Sequence, residues 1–375
     1  MPLTRFIKHL IKDPKNVNFH RKRYLFDKSY GKKDVLSYVP HIFNIGITFR
    51  CNFRCPPCTF LLRNKQAFDG KDNMSLEQFN WILEKYKKDI VVLGLTGGES
   101  TMHPQFSEMV RSVKEKNLKL AIATNGTMIK KVIDDLRHFD KINVSLDGVD
   151  YEHFRKTRSG TREQYDDIIA GIRLLRDSGI PFNISFLLFE ETMSDVKNIL
   201  DFAQKMKPER LQFESGNPHN SQDWTPLLAG SPTVNNFLRE IFKRNDYPFS
   251  IRMPIIFDPS SELFQRQPCP QLWQVIIGPT GNIAYCCHLQ DKPEIGNIFK
   301  GYNFNSPLMV QFRKAMIEHK FPIDCLYCKN RFFELFSLYF ENFSCFFNSG
   351  EKNGPFLPPT RNFYQKLNYF LKTYE

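Results

Sequence analysis

The sequence predicts an α/β fold, with βα units around a parallel sheet followed by a small cysteine-rich module. Apolar runs alternate with amphipathic segments six times between residues 42 and 215, which is typical of successive βα units. The composition then changes near Cys269, where a hairpin pattern is followed by several cysteines. Six units fit a curved, partly open barrel, although their spacing alone leaves a doubly wound sheet as the alternative.

The βα units are visible as strand and helix patterns in turn. Strands are predicted at HIFNIGITF (41–49), IVVLGLTG (90–97), LKLAIATNG (118–126), KINVSLDG (141–148), PFNISFLLFE (181–190) and RLQFESG (210–216). Apolar residues at helical spacing predict helices over 76–88, 106–117, 131–139, 164–179 and 195–206. Ser75 is the predicted N-cap of the first helix. The loops after the strands read CNFRC, TGGES, TNGT, SLDG and ESGN. Since parallel strands present their carboxyl ends at one face, these polar loops mark the expected ligand face.

Five segments follow from these patterns. We expect a basic N-terminal arm at 1–41, a barrel core at 42–230, a connector at 231–264, a cysteine-rich module at 265–345 and a tail at 346–375. The connector holds several prolines and one helix pattern, TVNNFLREIFKRN. In the module, WQVIIGPTGNIAYCC predicts a hairpin that turns at PTGN.

The charge and hydropathy patterns indicate which partners the protein could bind and in which compartment it is expected. The formal net charge is +12, and much of the excess lies in HRKRYLFDKSYGKK near the amino end. We expect a solvated basic arm there, with a weak surface or nucleic-acid contact as the alternative. No run of about 18 apolar residues indicates a membrane span, and the first residues lack the features of a signal peptide. The sequence therefore predicts a cytoplasmic protein, whose nine cysteines are ligands or free thiols rather than disulfides.

Three cysteines follow the first predicted strand. Cys51, Cys55 and Cys58 lie in CNFRCPPC, a C-x3-C-x2-C pattern. Thiolates are soft ligands suited to iron–sulfur clusters, and three of them leave one iron of a four-iron cluster free to bind something else. The alternative is three buried or free cysteines with no ligand.

Four ordered loops resemble those of the radical SAM superfamily over residues 46–180. The cysteine triad resembles the cluster loop of that family, TGGES resembles its GGE motif, and ATNGT and VSLDG resemble the motifs that end its third and fourth strands. The resemblance implies a partial (β/α)6 TIM-like barrel. It also implies that the free iron of a [4Fe–4S] cluster binds S-adenosylmethionine (SAM), that reductive cleavage yields a 5′-deoxyadenosyl radical, and that this radical abstracts a substrate hydrogen. An electron donor such as flavodoxin or ferredoxin would be the partner.

The resemblance also implies a set of SAM-binding residues. They are Gly97, Gly98, Glu99, Thr124, Asn125, Ser145, Asp147 and Arg158. Glycines let backbone approach a ligand closely, Glu99 offers a carboxylate to the α-ammonium group, and the TNG and LDG residues offer hydrogen bonds. The alternative for these last residues is an ordinary turn or cap.

Two positions among these loops leave alternatives open. Arg158 is matched to the arginine that meets the SAM carboxylate, with Arg155 or a plain surface role as alternatives. Pro57 departs from the family, which usually has an aromatic or apolar residue there, and this leaves the adenine contact open.

A second cysteine set resembles the SPASM or twitch extension of some radical SAM enzymes. Cys269, Gly281 and Cys286 fit C-x11-G-x4-C, and Cys325 and Cys328 form CLYC. The resemblance implies one auxiliary [4Fe–4S] cluster on the four cysteines, with a structural zinc site as the alternative. We interpret Cys287 as a buried or spare thiol, and His288 and Cys345 likewise as residues that do not bind the cluster. The alternative is that one of them serves as a ligand.

The substrate class stays open between two kinds of molecule. A small or sugar-like molecule is favoured, because no separate peptide-recognition domain precedes the barrel and a basic arm suits an anionic substrate. The alternative is a ribosomally made peptide or a protein side chain. A metal-binding nucleic-acid module is the hypothesis from another class, and it gives the barrel motifs no role.

Overall fold

The structure is a computed structural model. It describes residues 17–58, 73–188, 190–216, 227–228, 231–243, 246–256, 265–286, 295–326, 328 and 331. The predicted tail and Cys287, His288 and Cys345 lie outside the described residues. In the described part of the chain, no helix is both long and apolar enough to cross a membrane.

Nine strands form one sheet in the described residues, in the order β7-β6-β5-β4-β3-β2-β1-β8-β9. They are β1 (Ile42–Thr48), β2 (Val92–Gly97), β3 (Lys119–Thr124), β4 (Lys141–Ser145), β5 (Asn183–Leu188), β6 (Arg210–Ser215), β7 (Ser250–Arg252), β8 (Val275–Ile277) and β9 (Ile283–Ala284). All neighbouring pairs are parallel except β8 and β9. The six predicted strands and the partial barrel are confirmed.

Helices alternate with these strands as the apolar spacing predicted. They are α1 (Val17–Ser29), α2 (Leu76–Tyr86), α3 (Phe106–Glu115), α4 (Ile129–Leu136), α5 (Tyr151–Arg158), α6 (Arg162–Asp177), α7 (Glu190–Ser194), α8 (Val196–Met206), α9 (Pro232–Phe242), α10 (Pro307–Ile317) and α11 (Ile323–Leu326). The predicted cap Ser75 is confirmed: its hydroxyl accepts from the Gln78 N–H, and the Gln78 side chain accepts from the Ser75 N–H.

The hairpin of the predicted module joins the barrel sheet. Strands β8 and β9 pair antiparallel, as WQVIIGPTGNIAYCC predicted. Strand β8 also pairs in parallel with β1, with Phe43 beside Val275. The Asn44 side-chain amide donates to the Gln274 side chain at 3.0 Å. The module therefore begins as an extension of the barrel, whereas its boundaries stay a prediction.

The N-terminal arm packs onto the protein from Lys22 onward. The Lys22 ammonium is buried and forms an ion pair of 2.7 Å with Asp89. The Tyr30 ring meets the Trp273 ring edge-on at 5.3 Å between centroids, and its hydroxyl donates to the Pro268 carbonyl at 2.7 Å. The expectation of a solvated arm is wrong for this part of the chain, because apolar and aromatic residues between the basic ones give the helix a buried side.

The barrel interior is polar along its later strands. In β4, buried Ile142 and Val144 alternate with the half-buried residues Lys141, Asn143 and Ser145. The Asn143 amide donates to the Ser185 hydroxyl at 3.0 Å, and Asn143 also accepts from Gln212. A hydrogen-bonded polar face thus runs across β4, β5 and β6.

Candidate active site and second cysteine site

The cysteine triad lies in the loop that leaves β1. Cys51, Cys55 and Cys58 are half-buried and form no disulfide in the described residues, and the Cys58 N–H closes a turn onto the Cys55 carbonyl at 3.0 Å. Burial raises the pKa of Cys51 to about 12, although a hydrogen bond from the Phe53 N–H opposes the shift. Burial also raises the pKa of Cys55. In such surroundings a thiolate requires a nearby positive charge, which a bound metal supplies.

Two glycines at the carboxyl end of β2, Gly97 and Gly98, let the next loop pack closely against the cysteine loop. The Gly98 N–H donates to the Thr48 carbonyl at 2.8 Å, and the following N–H donates to the Arg50 carbonyl at 2.7 Å. A Cβ at Gly97 would overlap the Thr48 carbonyl oxygen, and one at Gly98 would overlap that of Arg50. Gly97 also has a φ of 111°, in the region that favours glycine. The glycines were predicted to let backbone approach a ligand, which stays a prediction, and the structure shows that they also admit neighbouring backbone.

Replacing Gly98 by Ala is expected to disorganise the cysteine loop. The new methyl group would meet fixed backbone, including the Phe49 carbonyl oxygen at 2.7 Å, and overpacking of this kind costs about 1–3 kcal/mol or more. We expect iron bound by the triad to fall, measured as iron per chain after anaerobic reconstitution. Gly278→Ala is the matched control, because its Cβ would meet only the Asn282 oxygen at 3.7 Å. Wild-type iron content in the Gly98 variant would contradict this role.

Glu99 is a buried carboxylate held in one orientation. It is 2% exposed. Its Oε1 accepts from the Thr101 N–H at 3.2 Å, from the Thr101 hydroxyl at 2.6 Å and from the Thr124 hydroxyl at 2.8 Å. Its Oε2 accepts the Asn125 N–H at 2.6 Å. Oε1 is therefore saturated by donors, whereas Oε2 keeps acceptor capacity for a ligand.

Asn125 ties the third strand's loop to the cysteine loop. Its side-chain amide donates to the Asn52 side-chain oxygen at 2.8 Å and lies 3.9 Å from the Cys51 sulfur. Its side-chain oxygen accepts from the Thr127 N–H and hydroxyl, at 3.0 and 2.8 Å. The contacts of Asn125 in the structure therefore position the triad and Glu99.

Asp147 and Arg158 form a buried ion pair beside the triad. The Arg158 Nε lies 2.7 Å from an Asp147 carboxylate oxygen, and the other oxygen accepts the Leu187 N–H at 2.6 Å. An Arg158 terminal nitrogen lies 4.0 Å from the Cys55 sulfur. Burial lowers the pKa of Arg158, but Asp147 and Cys55 together raise it by more, so the guanidinium keeps its charge. A permanent positive charge thus stands next to one thiol of the triad.

All of these groups surround one cavity of about 340 Å³. Every predicted SAM-binding residue and all three triad cysteines line it, and so does Pro57, where the sequence departs from the family. Sequence reasoning missed six further lining residues, which are Phe53, Thr96, Ala123, Ser185, Leu187 and Glu214. A signal was present for Ser185 and Glu214, because polar residues recur at every second position of β4 and β6 and in the first half of β5, although parallel strands are usually apolar throughout.

The second cysteine set also gathers at one place. Cys269 and Cys328 are buried, and Cys286 and Cys325 are half-buried; none of the four forms a disulfide in the described residues. Burial raises the pKa of Cys269 well above its ordinary value, and the charges of Cys328, Cys286 and Cys325 raise it further. The charges of these three cysteines all reach Cys269, and the Cys328 N–H donates to the Cys325 carbonyl at 3.3 Å, so the four thiols lie in one region of the described structure. The predicted ligand set is thus brought together, at a site apart from the first cavity.

Comparison with known proteins adds a family match. The model of the radical SAM superfamily matches residues 45–203. The subtilosin biosynthesis protein AlbA of Bacillus subtilis is 26% identical over 287 residues, which cover 72% of this chain and 60% of AlbA. A probable GTP 3′,8-cyclase of Metallosphaera sedula is 21% identical over 293 residues, which cover 74% of this chain and 89% of that protein. Against AlbA the chain thus spans less than two thirds of the relative's length.

Solved structures share the fold over most of the chain. Streptococcus suis SuiB bound to S-adenosylmethionine superposes with a TM-score of 0.61 at 16% identity, over 93% of this chain and 82% of SuiB. Native anSMEcpe with bound AdoMet and the Cp18Cys peptide gives 0.58 at 16% identity, over 89% of this chain and 96% of anSMEcpe. Residues 45–203 thus belong by sequence to the radical SAM superfamily, and the fold that SuiB and anSMEcpe share with this chain extends over about nine tenths of its length.

Proposed function

We propose that this enzyme uses a [4Fe–4S] cluster to cleave SAM reductively, and that it modifies a side chain of a ribosomally made peptide or of a protein. The cavity carries the first half of the proposal, because it joins three thiols to a buried carboxylate with one open acceptor oxygen. When bound, the cluster and SAM supply a radical that abstracts hydrogen. A one-electron donor such as flavodoxin or ferredoxin completes the set of partners.

Each residue type around the cavity suits a part of these cofactors. Cys51, Cys55 and Cys58 would hold three irons and leave the fourth open. Four donors already hold the Glu99 carboxylate in place. The remaining acceptor capacity of its Oε2 suits the ammonium group of SAM. Arg158 contributes a fixed positive charge at the cavity wall, which favours the SAM carboxylate nearby.

The peptide substrate is supported by the relatives. AlbA is a bacteriocin biosynthesis protein, and its likeness covers 72% of this chain, more than the family match over 45–203. Two of the fold neighbours were solved with peptides, SuiB with the precursor peptide SuiA and anSMEcpe with Cp18Cys. These likenesses outweigh the argument for a small or sugar-like molecule. That argument rested on the sequence showing no separate peptide-recognition domain before the barrel.

A nucleotide or other small molecule is the second candidate. The GTP 3′,8-cyclase match covers 89% of that relative, a larger share than for AlbA. Lys141 also lies near two buried cations: burial together with Arg252 and Arg210 lowers its pKa to about 7, while Glu214 and Glu209 oppose the shift. A bound anionic group would favour the charged form of Lys141.

The second cysteine set is proposed to hold one auxiliary [4Fe–4S] cluster. A single tetrahedral zinc, with bonds of about 2.3 Å, would bring its sulfurs to within about 3.8 Å of one another. Among the residues that the structure describes, no three cysteine sulfurs lie within 4.8 Å of one another. This wider spacing supports a cluster over one zinc ion.

The two substrate classes are separated by what stimulates SAM cleavage. Reconstituted enzyme is incubated with dithionite and SAM, and 5′-deoxyadenosine is measured with a peptide fraction of host-cell extract, with the same fraction after protease digestion, and with GTP. We expect stimulation by the intact peptide fraction that digestion removes. Stimulation by GTP alone, or survival after digestion, would overturn the peptide assignment and leave the SAM chemistry standing.

A further inference from the structure

A buried arginine lies against the second cysteine site. Arg331 is 0% exposed. Its Nε donates to the Gln267 carbonyl at 2.9 Å, and one terminal nitrogen donates to the carbonyls of Cys325 and Leu326, at 3.2 and 2.9 Å. Its backbone N–H donates to the Cys328 carbonyl at 3.1 Å. These contacts fix the guanidinium next to the C-x2-C turn.

The groups that affect the pKa of Arg331 include the cysteines of the second site. Burial lowers the pKa of Arg331, and the charges of Cys269, Cys325 and Cys328 raise it, followed by that of Tyr30. The guanidinium also stacks over the Phe321 ring, with its carbon 3.8 Å from the centroid. An arginine keeps its proton even when buried, so a fixed positive charge stands in a water-poor site beside three of the four proposed ligands.

We propose that Arg331 is the counter-charge of the second cysteine site and raises the reduction potential of the cluster held there. The inference rests on the proposed auxiliary cluster. A one-electron reduction makes the cluster and its four thiolates more negative by one charge. A nearby cation stabilises that reduced form most, and the net charge around a cluster is one of the factors that set its potential. The low local dielectric strengthens the interaction.

The experiment isolates the auxiliary cluster and then changes only the charge. In full-length protein with Cys51, Cys55 and Cys58 all changed to Ala, the remaining cluster is titrated potentiometrically with dithionite and followed by electron paramagnetic resonance. Arg331→Gln should shift the midpoint to a more negative potential, because the cation is gone. Arg331→Lys should stay near the parent value, because the charge remains.

Arg313 offers a matched control in the same module. It is also fully buried, and its guanidinium donates to the carbonyls of Leu272 and Phe304 at 2.9 and 2.8 Å. The charges that raise its pKa are those of Tyr302, Tyr38 and Asp34 rather than the thiols. Arg313→Gln should therefore leave the midpoint unchanged.

The outcomes separate the two proposals. If the triple-Ala parent binds zinc and no iron, the auxiliary cluster is wrong and the role of Arg331 falls with it. If iron is retained but Arg331→Gln leaves the midpoint unchanged, or Arg313→Gln shifts it as much, the counter-charge role alone is wrong. If both Arg331 variants fail to load iron, the residue is structural and the proposal is overturned. If only the Lys variant loads iron, at the parent potential, the charge requirement is supported.

Discussion

Changing Cys55 to Ala is expected to abolish conversion of SAM to 5′-deoxyadenosine by the dithionite-reduced protein. The reason is the loss of one of three thiols that line the cavity with Glu99, since two ligands do not hold a four-iron cluster in place. The measurement is 5′-deoxyadenosine per chain after anaerobic reconstitution. Normal cleavage in this variant would overturn the assignment of the triad.

Iron counting provides the control for this prediction. Two clusters amount to roughly eight irons per chain, and loss of Cys51, Cys55 and Cys58 together should leave about half. Glu99→Gln is the matched variant, because it keeps the shape of the side chain but removes the charge that pairs with the ammonium. It should retain the full iron content while binding SAM more weakly. A Glu99 variant that loses iron would show that the carboxylate supports the cysteine loop instead.

Changing Cys325 and Cys328 together to Ala is expected to separate SAM cleavage from product formation. These thiols belong to the second site, so the first cluster and slow uncoupled cleavage should remain. Product should fall much further, because the auxiliary cluster is proposed to bind substrate or to take an electron from the substrate radical. The comparison is 5′-deoxyadenosine against product in one reaction mixture with the true substrate.

Folding must be checked in that double variant. Cys328 is buried, so far-ultraviolet circular dichroism and the iron retained by the triad serve as controls. Wild-type yields of both products would show that the second site is only structural. Loss of both, with the first cluster still present, would show tighter coupling between the two sites than we propose.

Much of the barrel could be predicted from sequence because its signals are local. Buried apolar runs end at polar loops, so the predicted strand over 90–97 and the observed β2 (Val92–Gly97) differ by two residues at one end. The hairpin carries its own turn, and the Gly278 N–H accordingly donates to the Asn282 carbonyl at 2.8 Å. The motif loops likewise predicted which side chains meet at the cavity.

Other features depend on contacts that no local pattern encodes. Strand β7 (Ser250–Arg252) has three residues between two prolines, too few for an alternation to be seen, and it forms by pairing with β6. Gly98 lines the cavity, but the close approach of the Arg50 carbonyl to it is a tertiary contact that the sequence does not reveal. Glu214 reaches the cavity, and Arg331 reaches the second cysteines, only through tertiary folding.

The shared edge of β1 and β8 has a consequence for the distance between the two proposed metal sites. Cys51 follows the carboxyl end of β1, whereas Cys269 precedes the amino end of β8, and the two strands are parallel. Strand β9 runs the other way, so it returns Cys286 to the same edge as Cys269. The seven residues of β1 span about 20 Å at about 3.3 Å per residue. The sheet thus acts as a fixed spacer, and no single functional group of a substrate can touch both centres at once.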